Sequence, residues 1–215
     1  MNYVHAGVKP TSCPTCPSLF EANPLSFCVI LEGIVTTIND DDSVNISPMG
    51  PMVDTSMSTL TLRPYQTSTT YQNLRRVGQG IFHVTDDVEL LARAAVSRLE
   101  GLPKMRPASA VTGMILVDAC RWYAFEVSSL DDREDRTTIQ CKIVDRGRQR
   151  DFLGFNRAKH AVVEAAILAT RTQFLPADEI LAEFERLGMI VDKTAGEQER
   201  VAFDFLKEFV CDELC

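Results

Sequence analysis

Short apolar and β-branched runs, each bounded by turn residues, recur from residue 29 to residue 144. Residues of this kind favour strands, and the spacing of the turns keeps each strand short. The runs are Val29 to Ile38, Ser43 to Ser47, Thr59 to Arg63, Gly80 to Val84, Thr112 to Val117, Trp122 to Ser128 and Thr138 to Val144. Asn39 to Asp42 supplies the turn between the first two, and Asp118 to Arg121 is expected to join the fifth and sixth as a hairpin. One long amphipathic helix interrupts the series. Asp86-x-x-Glu89 resembles a capping box, and Val88, Leu91, Ala92, Ala95, Val96 and Leu99 follow at helical spacing. At least six strands around one such helix point to a closed antiparallel barrel, because closure removes the edges that many strands would leave unpaired. Gly101 to Arg106, Ser128 to Arg136 and Asp145 to Asp151 read as loops, the last two solvated by their charges. Glu32, inside the first run, is expected to face solvent at a bulge in preference to entering a site.

The flanks of this region differ from it. Residues 1–27 are rich in Pro, Ser, Thr and Cys and carry no periodicity, so they read as an irregular tail. Cys13-Pro-Thr-Cys16 within it is half of a zinc site, with no second pair at finger spacing, and no metal site is expected. Residues 156–215 read as helices: Asn156 caps a helix from Arg157 to Gln173, Pro176 opens one that Gly188 ends near Leu187, and Gly196 to Val210 forms the last. Net charge is −8, with no dense Lys/Arg run, which argues against nucleic acid as a partner. No apolar run approaches the ~18 residues of a membrane span. Seven scattered cysteines and no secretory pattern lead to the expectation of a reduced, cytoplasmic setting.

Two neighbouring stretches gather chemistry. In Asn45 to Val53 the prolines Pro48 and Pro51 remove backbone donors and Gly50 can take a positive φ, so the sheet should break there and expose backbone polar groups. Arg63 ends the next strand, and Ser68, Thr69 and Thr70 open a short helix soon after. Hydroxyls, helix N–H groups and a guanidinium in one place suit a phosphate. The same residues serve equally well as a helix cap and a solvated strand-end charge. GxGxxG, GxxxxGK[ST], GxSxG and HExxH are all missing, so the hard chemistry falls to a cofactor.

These stretches also carry a resemblance. Asn45, Ser47, Pro48 and Gly50, the run R-P-Y-x-x-S-x-T-Y-x-N-L from Arg63 to Leu74, Phe82 to Asp86, and Phe155 to Ala158 resemble the flavin reductase-like, FMN-binding split-barrel superfamily, in an archaeal and bacterial branch of uncharacterised proteins. The resemblance covers roughly residues 29–174. It implies an α+β, mainly β fold: residues 1–27 as tail, 28–155 as the split β-barrel, and 156–215 as C-terminal helices packed on it. FMN is the implied cofactor. Its phosphate would be held by Arg63 and the hydroxyls of Ser68 and Thr70, and its ring would lie near Asn45, Ser47, Pro48, Met49 and Gly50. Gln66, Thr67 and Asn73 of the second run, with Asn156 and Arg157 of the last, complete the implied cofactor residues, while the catalytic residues stay unknown. The implied activity is a flavoprotein oxidoreductase in a homodimer, taking electrons from a small-molecule donor with NAD(P)H the first candidate. The usual nicotinamide-side signature is missing, so a non-catalytic FMN-binding or assembly role stands as the alternative.

Overall fold

The structure, a computed structural model, describes residues 29–214, and the Cys13/Cys16 pair lies outside the described residues. Ten strands and five helices follow in the order β1 (Val29–Ile30), β2 (Gly33–Ile38), β3 (Val44–Met49), β4 (Met52–Val53), β5 (Thr59–Leu62), α1 (Thr69–Val77), β6 (Gln79–Val84), α2 (Val88–Ala95), β7 (Met105–Pro107), β8 (Met114–Leu116), β9 (Arg121–Asp131), β10 (Thr138–Arg148), α3 (Arg157–Ala169), α4 (Ala177–Thr194) and α5 (Glu197–Leu214). Eight strands form one antiparallel sheet in the order β1-β4-β5-β10-β9-β6-β2-β3. Its two ends belong to one hairpin. β1 runs on into β2 and β3 into β4, and the pairs Ile30↔Met52 and Gly33↔Met49 share one register. The sheet therefore closes into a six-stranded barrel whose circuit is β1β2, β3β4, β5, β10, β9 and β6.

Alternation along the strands assigns the two faces. Val35, Phe82, Tyr123, Phe125, Leu62 and Ile139 point to the barrel interior, where Tyr71 and Leu74 of α1 close one end. Outside, Ile81, Trp122 and Ala124 pack under Val111 and Ile115, and Ile34 packs with Ala94 and Leu116. A separate helical core joins α2 to α3, α4 and α5 around Val162, Phe184, Phe203 and Leu206. α2 packs against β3 as well as α3 and α5, so it ties the barrel to the helices.

Several expectations change in physical detail. The strand at Met114–Leu116 does not pair with β9; it pairs with β7 in a small sheet laid over the barrel, fixed by bonds from Thr36 Oγ1 to the Met114 carbonyl (2.7 Å) and from Leu116 N–H to His83 Nε2 (3.1 Å). β10 extends through Arg148, into residues expected to be loop, because β9 pairs with it across two bulges. The cap of α2 is Asp87, which accepts from Leu90 N–H, while Asp86 is bonded elsewhere. α4 passes through Gly188 because Leu187 and Val191 continue its buried stripe. Gly50 has no positive φ. A Cβ there would stand 2.8 Å from Glu32 Oε1 and 2.9 Å from Ile30 Cγ2, so a larger residue would displace these two exposed side chains. The break in the sheet falls at Gly50 and Pro51, where the two halves of the hairpin meet at a close approach.

Candidate functional site

A chamber of about 370 Å³ opens beside this break, within the ~300–1,000 Å³ of small-molecule sites. β3 forms one wall through Asn45, Ser47, Pro48, Met49 and Gly50, and the start of α1 contributes Ser68, Thr69 and Thr70. Opposite stand Leu91, Ala94 and Ala95 of α2 and Val163, Ala166 and Ile167 of α3. Alanines set among larger side chains on both helices make an apolar wall, while the α1 end is polar. The N–H groups of Thr69 and Thr70 have no intrahelical acceptor, as at any helix start, so the positive end of α1 faces the chamber.

The hydrogen bonds decide which groups remain free to meet a ligand. Asn45 donates from its amide to Thr37 Oγ1 (3.1 Å) and Thr70 Oγ1 (3.0 Å), which spends both N–H groups and leaves its carbonyl oxygen. Thr70 accepts in that bond and keeps its O–H to donate. Ser68 is occupied: its hydroxyl donates to the Tyr65 carbonyl (2.8 Å) and accepts from Tyr71 N–H (3.2 Å), so its role here is the cap of α1.

Six other expected site residues lie outside this chamber. Arg63 is exposed and contributes its carbonyl to Arg136 Nε (3.3 Å), while its guanidinium does not line the chamber. Gln66 is spent on the β9–β10 turn, donating to the carbonyls of Asp132 (2.7 Å) and Glu134 (3.1 Å). Thr67 is exposed. Asn73 is buried and braces the site from behind, donating to Thr37 Oγ1 (3.0 Å) and Asn39 Oδ1 (2.7 Å). Asn156 caps α3 by accepting from the N–H groups of Ala158 and Lys159, and it donates to the Thr194 carbonyl. Arg157 is exposed.

Glu32 is exposed, as its sequence led us to expect, but the setting differs from the expected bulge. The hairpin keeps its register across Leu31 and Glu32, so the residue does not stand at a bulge, and its side chain lines the chamber. Glu32 also lines a second chamber of about 360 Å³, together with Val163 and Ile167, which both chambers share. Burial and the nearby Glu164 carboxylate raise the Glu32 pKa above the ordinary value.

At the far side of the second chamber Asp86 is almost buried. Burial alone would raise its pKa, but bonds from Arg150 and from Leu153 N–H (3.1 Å), with the charges of Arg150 and Lys159, hold it at about 2. This pair pins residues 150–153 across the barrel. Arg150→Met should cost about 1–2 kcal/mol, near the low end for a stranded buried acceptor because Arg150 itself faces solvent. The Asp86 contribution is present above the ordinary carboxylate pKa and fades as pH falls toward 2. Chemical denaturation of the variant and of wild type at pH 7 and pH 3 should therefore show a smaller loss at pH 3 than at pH 7.

A closed six-stranded antiparallel barrel, opened at one hairpin and backed by helices, is the architecture of the flavin reductase-like split barrels. Residues 31–150 match the N-terminal domain, and residues 156–208 the second part, of a family described as protein of unknown function DUF447; the chain belongs to that family. An FMN-bound DUF447 protein from Methanosarcina mazei shares the fold with a TM-score of 0.72 and 22% identity, over 84% of this chain and 94% of its own. More distant likenesses include a 2-nitrobenzoate 2-nitroreductase from Pseudomonas fluorescens, at TM-score 0.47 and 13% identity over 55% of this chain and 64% of its own. The flavin reductase of a styrene monooxygenase from Pseudomonas putida S12 has TM-score 0.46 and 12% identity over 58% and 81%. No protein of curated function matches the sequence. Among the described residues, no helix is long and apolar enough to cross a membrane.

Proposed function

We propose that the first chamber binds FMN and that the protein is a cytoplasmic flavoprotein oxidoreductase. The observation that carries this reading is the layout of the chamber: helix N–H groups and a threonine O–H at one end, a broken strand edge along the side, and an apolar wall with alanines across from it. Such a site meets the separate demands of an anion and of a planar ring. Thr69 and Thr70 would hold the phosphate. The Asn45 carbonyl, the Ser47 hydroxyl and the backbone from Pro48 to Gly50 would meet the polar edges of the ring, with Ala94, Ala95 and Ala166 against its plane. Asn73, Gln66 and Asn156 serve by positioning the elements around the chamber. The DUF447 protein from Methanosarcina mazei, bound to FMN in the same fold, supports the reading. When bound, FMN supplies reversible hydride and electron transfer, and the chain supplies orientation and exclusion of water.

With one anion position and no dinucleotide fingerprint, FMN should bind more tightly than FAD. Fluorescence titration of the apoprotein with each flavin checks this, and equal or stronger binding of FAD would refute it. Anaerobic bleaching of the visible flavin band by NADH and NADPH then tests catalysis. Faster reduction of the bound flavin than of free FMN is the expected result; if no donor achieves it, the binding-only role takes its place.

The protein should act as a homodimer. Leu153 and Phe174, which do not line either chamber, are 86% and 82% exposed, and Val29 is also largely exposed; a second copy would take such apolar side chains from water. Light scattering at micromolar concentration should report twice the chain mass, and a monomer that still binds FMN would refute the assignment.

A further inference from the structure

The second chamber differs in chemistry from the first. Its walls are apolar, built from Val84, Val88, Phe152 and Phe155 with the shared Val163 and Ile167. The charges around it divide into spent and free groups. Asp86 is bound to Arg150. The Lys159 ammonium is held by Glu199 (2.7 Å), the Asp86 carbonyl (2.7 Å) and Gln198 Oε1 (3.3 Å). What remains is the carboxylates of Glu32 and Glu164 and the ring of His160, which lies tilted against Phe155 at 6.2 Å. Among the described residues Glu32 makes no ion pair, and none of the side-chain hydrogen bonds described above uses it. The chamber is therefore mostly apolar, with an acidic edge and no uncommitted Lys or Arg.

We propose that this second chamber binds a flat heteroaromatic small molecule whose amidine-type edge, a ring nitrogen beside an exocyclic amino group, pairs with the Glu32 carboxylate. With the ring nitrogen protonated, the edge presents two parallel N–H donors that match the two oxygens of one carboxylate. Phe152 and Phe155 offer aromatic surface to the plane of such a ring. An anionic ring would instead meet Glu32 and Glu164 with no uncommitted Lys or Arg beside them. Binding at this chamber does not require the flavin reading. The role of the ligand as the flavin's reaction partner does rest on that reading, since Glu32, Val163 and Ile167 are the wall between the two chambers.

The probe is 2-aminoquinoline, followed by its fluorescence, with quinoline-2-carboxylate as the anionic control. Wild-type protein should bind the amine in preference to the carboxylate. Glu32→Gln should weaken the amine by roughly tenfold or more, the loss expected for a hydrogen bond to a charged partner. His160→Trp, placed at an exposed position of the second chamber alone, should abolish probe binding and leave FMN titration unchanged. FMN and the probe should bind together. The proposal is overturned if the carboxylate binds as well as the amine, if Glu32→Gln or His160→Trp leaves probe affinity unchanged, or if FMN displaces the probe. Probe binding that depends on Glu32 in a protein that takes up no FMN would sink the flavin reading and leave this one standing.

Discussion

Acidification from pH 7 to pH 4 should cost the fold about 3 kcal/mol at one residue, His83. The side chain has no solvent exposure, and it bridges two layers: Nδ1 donates to the Ile34 carbonyl (3.2 Å) and Nε2 accepts from Leu116 N–H (3.1 Å). That arrangement requires the neutral ring with its proton on Nδ1. Burial pushes the pKa down to about 4, with the Ile34 carbonyl opposing only in part. The sign of the effect follows from linkage. Above pH 6.5 the ring is neutral in both states and the contribution is complete. As pH falls below 6.5 the unfolded chain takes up a proton that the folded protein refuses until about pH 4, so stability declines across that window. At about 1.4 kcal/mol per unit, the full window amounts to roughly 3.5 kcal/mol, of which about 3 kcal/mol is lost by pH 4, where the folded ring is itself half protonated; this is a large share of the 5–15 kcal/mol typical of a domain. Urea denaturation of wild type and His83→Gln at pH 7 and pH 4.5 isolates the term. Glutamine cannot titrate, so its two curves should lie closer together than those of wild type. Equal pH dependence in the two proteins would show that His83 is not the source. Asp86 does not confuse the result, because its contribution fades only toward pH 2.

His83 also marks where sequence reasoning stops. It belongs to a stretch that carries the family resemblance, yet nothing in Phe82 to Asp86 indicates that its ring would join β2 to β8. The barrel itself was legible, because alternating β-branched residues define strands and their number demands closure. Partners were less so: Thr112 to Val117 looks like the hairpin mate of Trp122 to Ser128, but its pairing was settled by contacts to β7 and to His83. The chamber divides in the same way. Asn45 to Gly50 and Ser68 to Thr70 were readable, since prolines, a glycine and hydroxyls at a helix start carry local meaning. Arg63 was not, because its place at a strand end does not say which way its guanidinium points. Glu32 was readable as solvent-facing, but its place at the chamber was not, since its side of the strand depends on the single register that runs through Leu31 and Glu32. The far wall was visible only as a small-residue helical face. Periodicity shows that Ala166 lies on an apolar stripe; it does not show that α2 and the broken strand stand opposite it.

That far wall supplies the largest functional prediction: Ala95→Trp should weaken FMN binding by on the order of a hundredfold. Ala95 lies at the last turn of α2, partly buried, and lines the first chamber. Ala95 also packs against the helical core, so an indole that turns into the chamber takes up part of its about 370 Å³ and competes with a ligand that fills it. Forcing extra volume into a packed site costs about 1–3 kcal/mol, which is roughly 10–150-fold in affinity. Because Ala95 is not fully buried, the variant should melt within a few degrees of wild type. Isothermal titration with FMN, beside a thermal melt of each apoprotein, separates the two effects. Lost flavin affinity with an unchanged melting temperature places the cofactor against the α2–α3 wall. Full affinity in a folded Ala95→Trp protein would place FMN elsewhere on the barrel and remove the chamber from the functional reading.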